Sequence, residues 1–187
     1  MSELIRTFIA FDVEEEAVLR RITSVQRMLA ETGADLRLVN PKNIHITVRF
    51  LGEISPQMVD RVYQEMMKVS FSAFKVELKG LGAFPNLHHA RVVWTGIGRG
   101  AEELTSIFDQ LEPNLRRLGF KPDRRGFSPH LTIARVRTRR AKDALARCIM
   151  DLSDYEFGIV SARCLRLKKS VLTPRGPIYS TLKEVCR

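Results

Sequence analysis

Apolar residues along the chain recur at two spacings, one typical of helices and the other typical of strands. At a spacing of three or four residues, they form a single stripe in each of four segments. The predicted helices run from Glu14 to about Glu31, from Ser55-Pro56 through Val69, from Ala101 to Leu118, and from a Thr138 cap through Met150. Proline cannot donate the helical hydrogen bond, so Pro113 is expected to kink or split the third helix.

Shorter apolar runs, bounded by turn residues, predict strands. They cover Arg6 to Val13, Leu36 to Val39, Ile44 to Leu51, Phe74 to Leu81, Ala90 to Gly96, His130 to Val136, Phe157 to Val171, and Ile178 to Val185. Strands and helices do not alternate as they do in a doubly wound nucleotide-binding fold. The predicted class is α+β, with antiparallel or mixed sheets backed by helices.

Two tetrapeptides share one pattern of polar and aliphatic residues. His45-Ile46-Thr47-Val48 lies in the first half and His130-Leu131-Thr132-Ile133 in the second, and the two histidines are 85 residues apart in the sequence. On a strand, residues i and i+2 point to the same side. A single histidine on an aliphatic strand is usually a structural group, but the repetition favours a paired site. It also predicts a bilobal, pseudo-duplicated fold with one motif in each lobe.

The residue types in the repeated motif suit acid–base chemistry on a phosphate. Opening a cyclic phosphodiester needs a base to take a proton from water and an acid to protonate the departing oxygen. Histidine titrates near neutral pH, so two imidazoles in different surroundings can divide these roles. Threonine hydroxyls at i+2 can donate hydrogen bonds to the charged oxygens of the transition state.

The composition of the chain indicates which partners it favours and whether it has a membrane segment. The chain has 187 residues, 44% of them hydrophobic, and a net charge of +10. Such a charge favours polyanionic partners, nucleic acid first, although a merely solvated basic surface is the alternative. No apolar run approaches the ~20 residues of a membrane span, and the N-terminus has no signal-peptide layout. We therefore expect a cytoplasmic protein without a membrane segment.

The three cysteines, Cys148, Cys164 and Cys186, are scattered and include no Cys-x-x-Cys pair. This spacing suggests neither a zinc site nor a disulfide framework. They are expected to be reduced thiols with a packing role.

The motifs and their flanks resemble those of the 2H phosphoesterases, most closely the RNA 2′,3′-cyclic phosphodiesterases, also called LigT-like or 2′-5′ RNA ligase-like proteins. The shared segments are Arg6-Thr7-Phe8-Ile9-Ala10, Pro41 to Thr47, Phe50-Leu51-Gly52, Arg91 to Trp94, Phe127 to Arg135, Ser170 to Leu172, and Gly176 to Tyr179. They extend over nearly the whole chain. One His-x-Thr would be weak evidence, but two at this separation in these flanks are specific.

This resemblance implies one domain over residues 1–187, made of two pseudo-symmetric lobes with an active-site cleft between them. It implies hydrolysis of an RNA-terminal 2′,3′-cyclic phosphate to a 2′-phosphate, with no metal and no cofactor. By the same resemblance His45 is the proton donor and His130 the proton acceptor, while Thr47 and Thr132 hold the phosphate. We also expect a monomer.

Two arginines compete for the role of phosphate contact. Strict alternation along the strand places Arg49 on the side of His45 and Thr47, and places Arg135 on the opposite side from His130. The family often has arginine at the position of Arg135. Both therefore stay candidates for substrate binding.

A basic stretch follows the second motif and could contact the RNA backbone rather than only solvent. It consists of Arg135, Arg137, Arg139, Arg140 and Lys142, and Lys121, Arg124 and Arg125 precede the same motif. Contacts of this kind bind phosphate without reading sequence and weaken with salt.

Two other functions stay open at the level of sequence. One is 2′-5′ RNA ligation, for example of tRNA halves, because the reverse reaction would use the same two histidines. The other is a module that binds RNA ends without catalysis, which the intact histidine and threonine pairs disfavour.

Overall fold

The computed structural model describes residues 4–123 and 126–187. Within them lie four α-helices: α1 (Glu16–Glu31), α2 (Pro56–Met67), α3 (Ala101–Arg117) and α4 (Lys142–Asp151). The strands are β1 (Ile5–Asp12), β2 (Leu36–Leu38), β3 (His45–Ile54), β4 (Phe74–Phe84), β5 (Val92–Ile97), β6 (His130–Val136), β7 (Glu156–Ala162), β8 (Cys164–Thr173) and β9 (Gly176–Cys186). Short 3₁₀ turns at Pro41–Asn43 and Leu87–His89 precede β3 and β5.

The strands form two antiparallel sheets. Sheet A has the order β3-β1-β8-β9, and sheet B has the order β2-β6-β5-β4-β7. Every pairing is antiparallel, which confirms the predicted α+β class. Each sheet contains one His-x-Thr strand, β3 in sheet A and β6 in sheet B, and these two strands are in contact where the sheets meet.

The helices cover the outer faces of the sheets. α2 and α3 pack against each other and against sheet A, whereas α1 and α4 pack against sheet B. The aliphatic residues of the two motifs, Ile46, Val48, Leu131 and Ile133, are buried in the resulting core. Because each fully buried aliphatic side chain stabilises the fold by about 1.5–3 kcal/mol, the same strand residues that fill the core fix the direction of the histidines.

Two details of the predicted elements are wrong. α3 continues from Ala101 to Arg117 through Pro113 and is not split there, because buried Leu111 and Leu115 anchor it on both sides. The run from Phe157 to Val171 is not one strand. It divides at Arg163 into β7, which pairs with β4 in sheet B, and β8, which pairs with β1 in sheet A.

The prediction of three reduced cysteines is also wrong. Cys164 and Cys186 are directly opposite each other on β8 and β9 and form a disulfide, whereas Cys148 is free. The two are 22 residues apart, and only the register of the hairpin brings them together, so their spacing gave no signal. No helix within the described ranges is both long and apolar enough to cross a membrane.

Candidate active site

Both motif histidines are held in the same way by the backbone. The Nδ1 atom of His45 is 2.6 Å from the carbonyl oxygen of Asn43, and the Nδ1 atom of His130 is 2.7 Å from that of Ser128. Because a carbonyl oxygen only accepts hydrogen bonds, Nδ1 carries a proton in both rings. Each Nε2 atom is therefore left to exchange a proton with another molecule.

The segments before the two strands make these contacts possible. Pro41–Asn43 is a single 3₁₀ turn that ends immediately before β3, and the Asn43 side chain donates a hydrogen bond of 2.8 Å to the carbonyl of Pro177 on β9. Both histidines are partly exposed at the first position of their strands. They are thus fixed in orientation but open to a ligand.

The motif threonines are on the same side of the strands as the histidines. Thr47 and Thr132 are partly exposed, and they alternate with buried aliphatic neighbours. Within the described residues, neither hydroxyl forms a hydrogen bond to another protein group. Both are free to donate to an oxyanion beside the histidines.

A bulge interrupts both motif strands at the same position. Val48 has no partner on β1, since Ile9 lies opposite Arg49 and Ala10 opposite Thr47. Ile133 likewise has no partner on β5, where Val93 lies opposite Ala134 and Trp94 opposite Thr132. An extra residue reverses the alternation of side chains beyond it. Arg49 and Arg135 both follow a bulge. The sides of the strands that strict alternation of side chains predicts for these two arginines are therefore wrong.

Arg49 points away from the histidine face and is 8% exposed. Its Nε donates to a carboxylate oxygen of Glu112 at 2.7 Å, and its two terminal nitrogens donate to the carbonyl oxygens of Phe50 and Lys121 at 2.7 and 2.6 Å. This guanidinium ties β3 to α3 and to the segment after it. The expectation that Arg49 binds substrate is not supported, because its donors are already used.

Arg135 follows the bulge in β6 and is exposed. The bulge brings it to the side of His130 and Thr132, and its positive charge lowers the pKa of His45 on the other motif strand. Its guanidinium therefore lies within electrostatic reach of both histidine strands, in accord with the family resemblance.

Gln26 stabilises the bulge that orients Arg135. The carbonyl of the bulged residue Ile133 accepts a hydrogen bond of 2.8 Å from the Gln26 side chain and one of 2.9 Å from the Val39 N–H. Gln26 is 4% exposed on α1. The sequence signal for this role is a glutamine within the apolar stripe of a predicted helix.

Aromatic side chains surround the two histidines differently. The ring of His45 lies 4.9 Å from that of Phe8 and 5.3 Å from that of Tyr179, measured between centroids. The ring of His130 lies 4.9 Å from Phe84 and 6.3 Å from Trp94. Gly82 on β4 leaves room for the Trp94 ring, which lies directly over its Cα.

A buried ion pair lies beside His45. Asp12 is directly opposite His45 on β1, and both of its carboxylate oxygens accept hydrogen bonds from the Lys168 ammonium, at 2.7 and 2.5 Å. Lys168 is 7% exposed. Arg166 also donates to Asp12, at 2.8 Å. None of these three residues was predicted from the sequence, because they come from distant strands.

The pKa of His45 is lowered from its ordinary value to about 4, chiefly because burial disfavours the charged ring. The hydrogen bond to Asn43 and the charge of Asp12 oppose this shift, and Lys168 and Arg135 reinforce it. His45 is therefore neutral at pH 7. Burial also raises the pKa of Tyr179 above its ordinary value.

The basic stretch after the second motif lies on the surface. Arg135 is on β6, Arg137 directly follows it, Arg139 and Arg140 precede α4, and Lys142 begins α4. All five are exposed, as is Lys121. Arg124 and Arg125 lie outside the described residues.

The His/Cys/Asp/Glu group that comes closest to metal-binding spacing in the described residues is Cys164, Glu184 and Cys186. Its two sulfurs are joined in the disulfide and cannot act as thiolates.

The family model described as LigT like Phosphoesterase matches this chain twice, over residues 13–94 and 97–179. The chain belongs to the LigT-like phosphoesterase family. Each of the two matched ranges of this phosphoesterase contains one His-x-Thr motif.

Relatives of this phosphoesterase carry a consistent name. A protein from Aeropyrum pernix called RNA 2′,3′-cyclic phosphodiesterase is 41% identical over 165 residues, which is 88% of this chain and 94% of that protein. A protein of the same name from Archaeoglobus fulgidus is 36% identical over 178 residues, 95% of this chain and 98% of its own length.

Two solved structures share the fold of this chain. A Thermus thermophilus protein, TT0787, superposes with a TM-score of 0.78 at 23% identity, with 97% of each chain covered. Escherichia coli LigT, in a crystal structure of its complex with 3′-AMP, superposes with a TM-score of 0.78 at 22% identity over 99% of this chain and 98% of that one.

Proposed function

We propose that this phosphoesterase hydrolyses 2′,3′-cyclic phosphate at RNA ends to a 2′-phosphomonoester by metal-independent catalysis with two histidines. The observation that supports this most strongly is the matched pair of histidines on two contacting strands. In both, Nδ1 is bound to a carbonyl two residues earlier, and Nε2 has no partner among the described residues. The names of the relatives from Aeropyrum and Archaeoglobus point to the same substrate.

In the proposed reaction His130 acts as the base and His45 as the acid. The Nε2 atom of His130 takes a proton from a water molecule while the water oxygen forms a bond to phosphorus. The bond from phosphorus to the 3′ oxygen breaks, and the Nε2–H group of His45 gives its proton to that oxygen. The product carries a 2′-phosphate and a 3′-hydroxyl, and exchange with solvent restores the two rings.

His45 must be protonated before it can act as an acid, although burial lowers its pKa to about 4. The substrate phosphate carries a negative charge. A negative charge close to a partly buried imidazole favours the protonated ring and raises its pKa. We therefore propose that the bound substrate itself charges His45.

Three other groups would bind the phosphate oxygens. The hydroxyls of Thr47 and Thr132 are free and lie on the histidine side of their strands, so they can donate to the non-bridging oxygens. Arg135 would add a charged donor beside them. Arg49 takes no part, because Glu112 and two carbonyls hold its guanidinium.

The test is analysis of the product formed from an RNA oligonucleotide with a 2′,3′-cyclic phosphate end, in the presence of EDTA. We expect the 2′-phosphate, and we expect His45→Ala and His130→Ala to lower kcat by about 10²–10⁴-fold each. His88→Ala, which alters an exposed histidine on the 3₁₀ turn before β5, should behave as wild type.

A 3′-phosphate product, dependence on an added metal, or no turnover by the wild-type protein would contradict the proposal. Addition of a 5′-hydroxyl RNA fragment to the same reaction tests ligation. A joined product would show that the reverse reaction occurs, whereas binding with no product of any kind would favour a non-catalytic RNA-end module.

A further inference from the structure

Two arginines lie side by side at the edge of sheet B. Arg37 on the edge strand β2 is directly opposite Arg135 on β6. Directly opposed residues share one side of a sheet, so Arg37 lies on the same side as Arg135, His130 and Thr132. Both arginines are exposed.

Opposed charges of the same sign destabilise a strand pair, whereas the charges just beyond the ends of β2 and β6 have opposite signs. Two residues further from the cleft, Asp35 and Arg137 form an ion pair, with 3.8 Å between Arg137 Nη1 and Asp35 Oδ1. Arg37 and Arg135 have no carboxylate within 4.0 Å among the residues that the structure describes. The uncompensated pair is also the one closer to the histidines.

Arg135 and Arg37 follow one another outward from the proposed catalytic site toward the edge of sheet B. Arg135 is on the strand that carries His130 and Thr132, whereas Arg37 lies one strand further toward the sheet edge. A 2′,3′-cyclic phosphate ends an RNA chain at its 3′ side, so the next phosphate can lie only on the 5′ side. Two adjacent guanidinium groups suit two consecutive phosphates, each of which accepts paired hydrogen bonds from arginine.

We propose that Arg37 binds the phosphodiester on the 5′ side of the terminal nucleotide, next to the cyclic phosphate held by Arg135, and so selects oligonucleotides over mononucleotides. This inference rests on the proposed function. The proposed site binds the phosphodiester next to the cyclic phosphate and makes no contact with the base.

The experiment compares two substrates in wild type and in Arg37→Gln. One is a mononucleoside 2′,3′-cyclic phosphate, which has no second phosphate, and the other is a dinucleotide with a 2′,3′-cyclic phosphate end. The variant should raise KM for the dinucleotide by about tenfold, as expected for loss of one charge-assisted contact. KM for the mononucleoside substrate should change by less than about twofold, since it cannot reach Arg37.

The salt dependence of dinucleotide affinity is a second test of the contact between Arg37 and the phosphate. For single-stranded RNA, each phosphate contact adds about 0.7 to the slope of log affinity against log salt. The slope for the dinucleotide should therefore fall by about 0.7 in Arg37→Gln, and Arg37→Lys should keep most of it. Arg27→Gln, which removes an exposed positive charge on α1 behind sheet B, is the matched control and should leave both substrates unaffected.

Equal effects on the two substrates, or no effect on the dinucleotide, would overturn the subsite. If the proposed function is wrong, the wild-type protein will turn over neither substrate, which is a different result from failure of the subsite. In that case, binding of the 2′-phosphate forms of the mononucleotide and dinucleotide still tests Arg37. The subsite requires the dinucleotide alone to bind more weakly to the variant.

Discussion

Asp12 lies directly opposite His45 on the neighbouring strand, and its carboxylate is held by the buried ammonium of Lys168. The two charges act on the imidazole in opposite directions: Asp12 raises the pKa of His45 and Lys168 lowers it. Arg135 from β6 also lowers it, and Tyr179 contacts the ring as a neutral group below its raised pKa. The largest influence on the pKa of His45 is its burial.

Removal of either charge of this pair should shift the titration of His45 in a known direction. In Asp12→Asn the loss of the carboxylate lowers the pKa of His45 further, and in Lys168→Met the loss of the ammonium raises it. NMR titration of the His45 ring in the empty protein measures both. Shifts in the same direction in the two variants would show that the pair does not act on His45 through its charges.

A bound phosphate group should raise the pKa of His45 from about 4. The account requires this, because the neutral ring cannot donate the proton that the leaving oxygen needs. Titration of His45 by NMR, with and without a saturating nucleoside 2′-phosphate, measures the change. If the pKa stayed at about 4 in the complex, His45 would not be the acid.

The stability of the protein should decrease in mild acid because of His45. Its pKa is about 4 in the folded state and 6.5 ordinarily, so between these values the unfolded chain binds more protons. The free energy of unfolding therefore falls as pH falls through this window, by about 3 kcal/mol in total from this group. Urea unfolding of wild type and His45→Gln at pH 7 and pH 4 should show the smaller loss in the variant, and equal losses would contradict the prediction.

Arg49 and Arg135 should have opposite phenotypes although both are arginines close to the motifs. Arg49→Gln leaves the Glu112 carboxylate, 15% exposed, without its partner, and loss of one member of such a pair costs about 3 kcal/mol of stability. Arg135→Gln should leave thermal unfolding unchanged and raise KM about tenfold. Thermal unfolding and steady-state kinetics of both variants distinguish the roles, and a KM effect confined to Arg49→Gln would reverse our assignment.

Arg49 and Arg135 also show which feature of the site the sequence does not predict, namely the direction of side chains beyond a bulge. The motifs, their strands and the helices follow from periodicity, and the repeated tetrapeptide places the histidines and threonines on one side. The bulges at Val48 and Ile133 reverse that periodicity. The bulge in β6 depends on a hydrogen bond between Gln26 and Ile133, which are 107 residues apart, so no local pattern reveals it.

Long-range pairing explains the other failures. β7 and β8 form one continuous alternating run in the sequence, but they join different sheets. The Asp12–Lys168 pair and the Cys164–Cys186 disulfide join strands whose adjacency only the folded topology defines. Charge and spacing in the sequence cannot identify such partners.

The central claim is that His45 and His130 act together on one phosphate. The most direct measurement is kcat for His45→Ala, His130→Ala and the double variant on one cyclic-phosphate oligonucleotide in EDTA. Groups that act as a unit are not additive, so we predict that the double variant loses about as much activity as the more damaged single variant. Losses that multiply in the double variant, or a single variant with nearly wild-type kcat, would contradict the account.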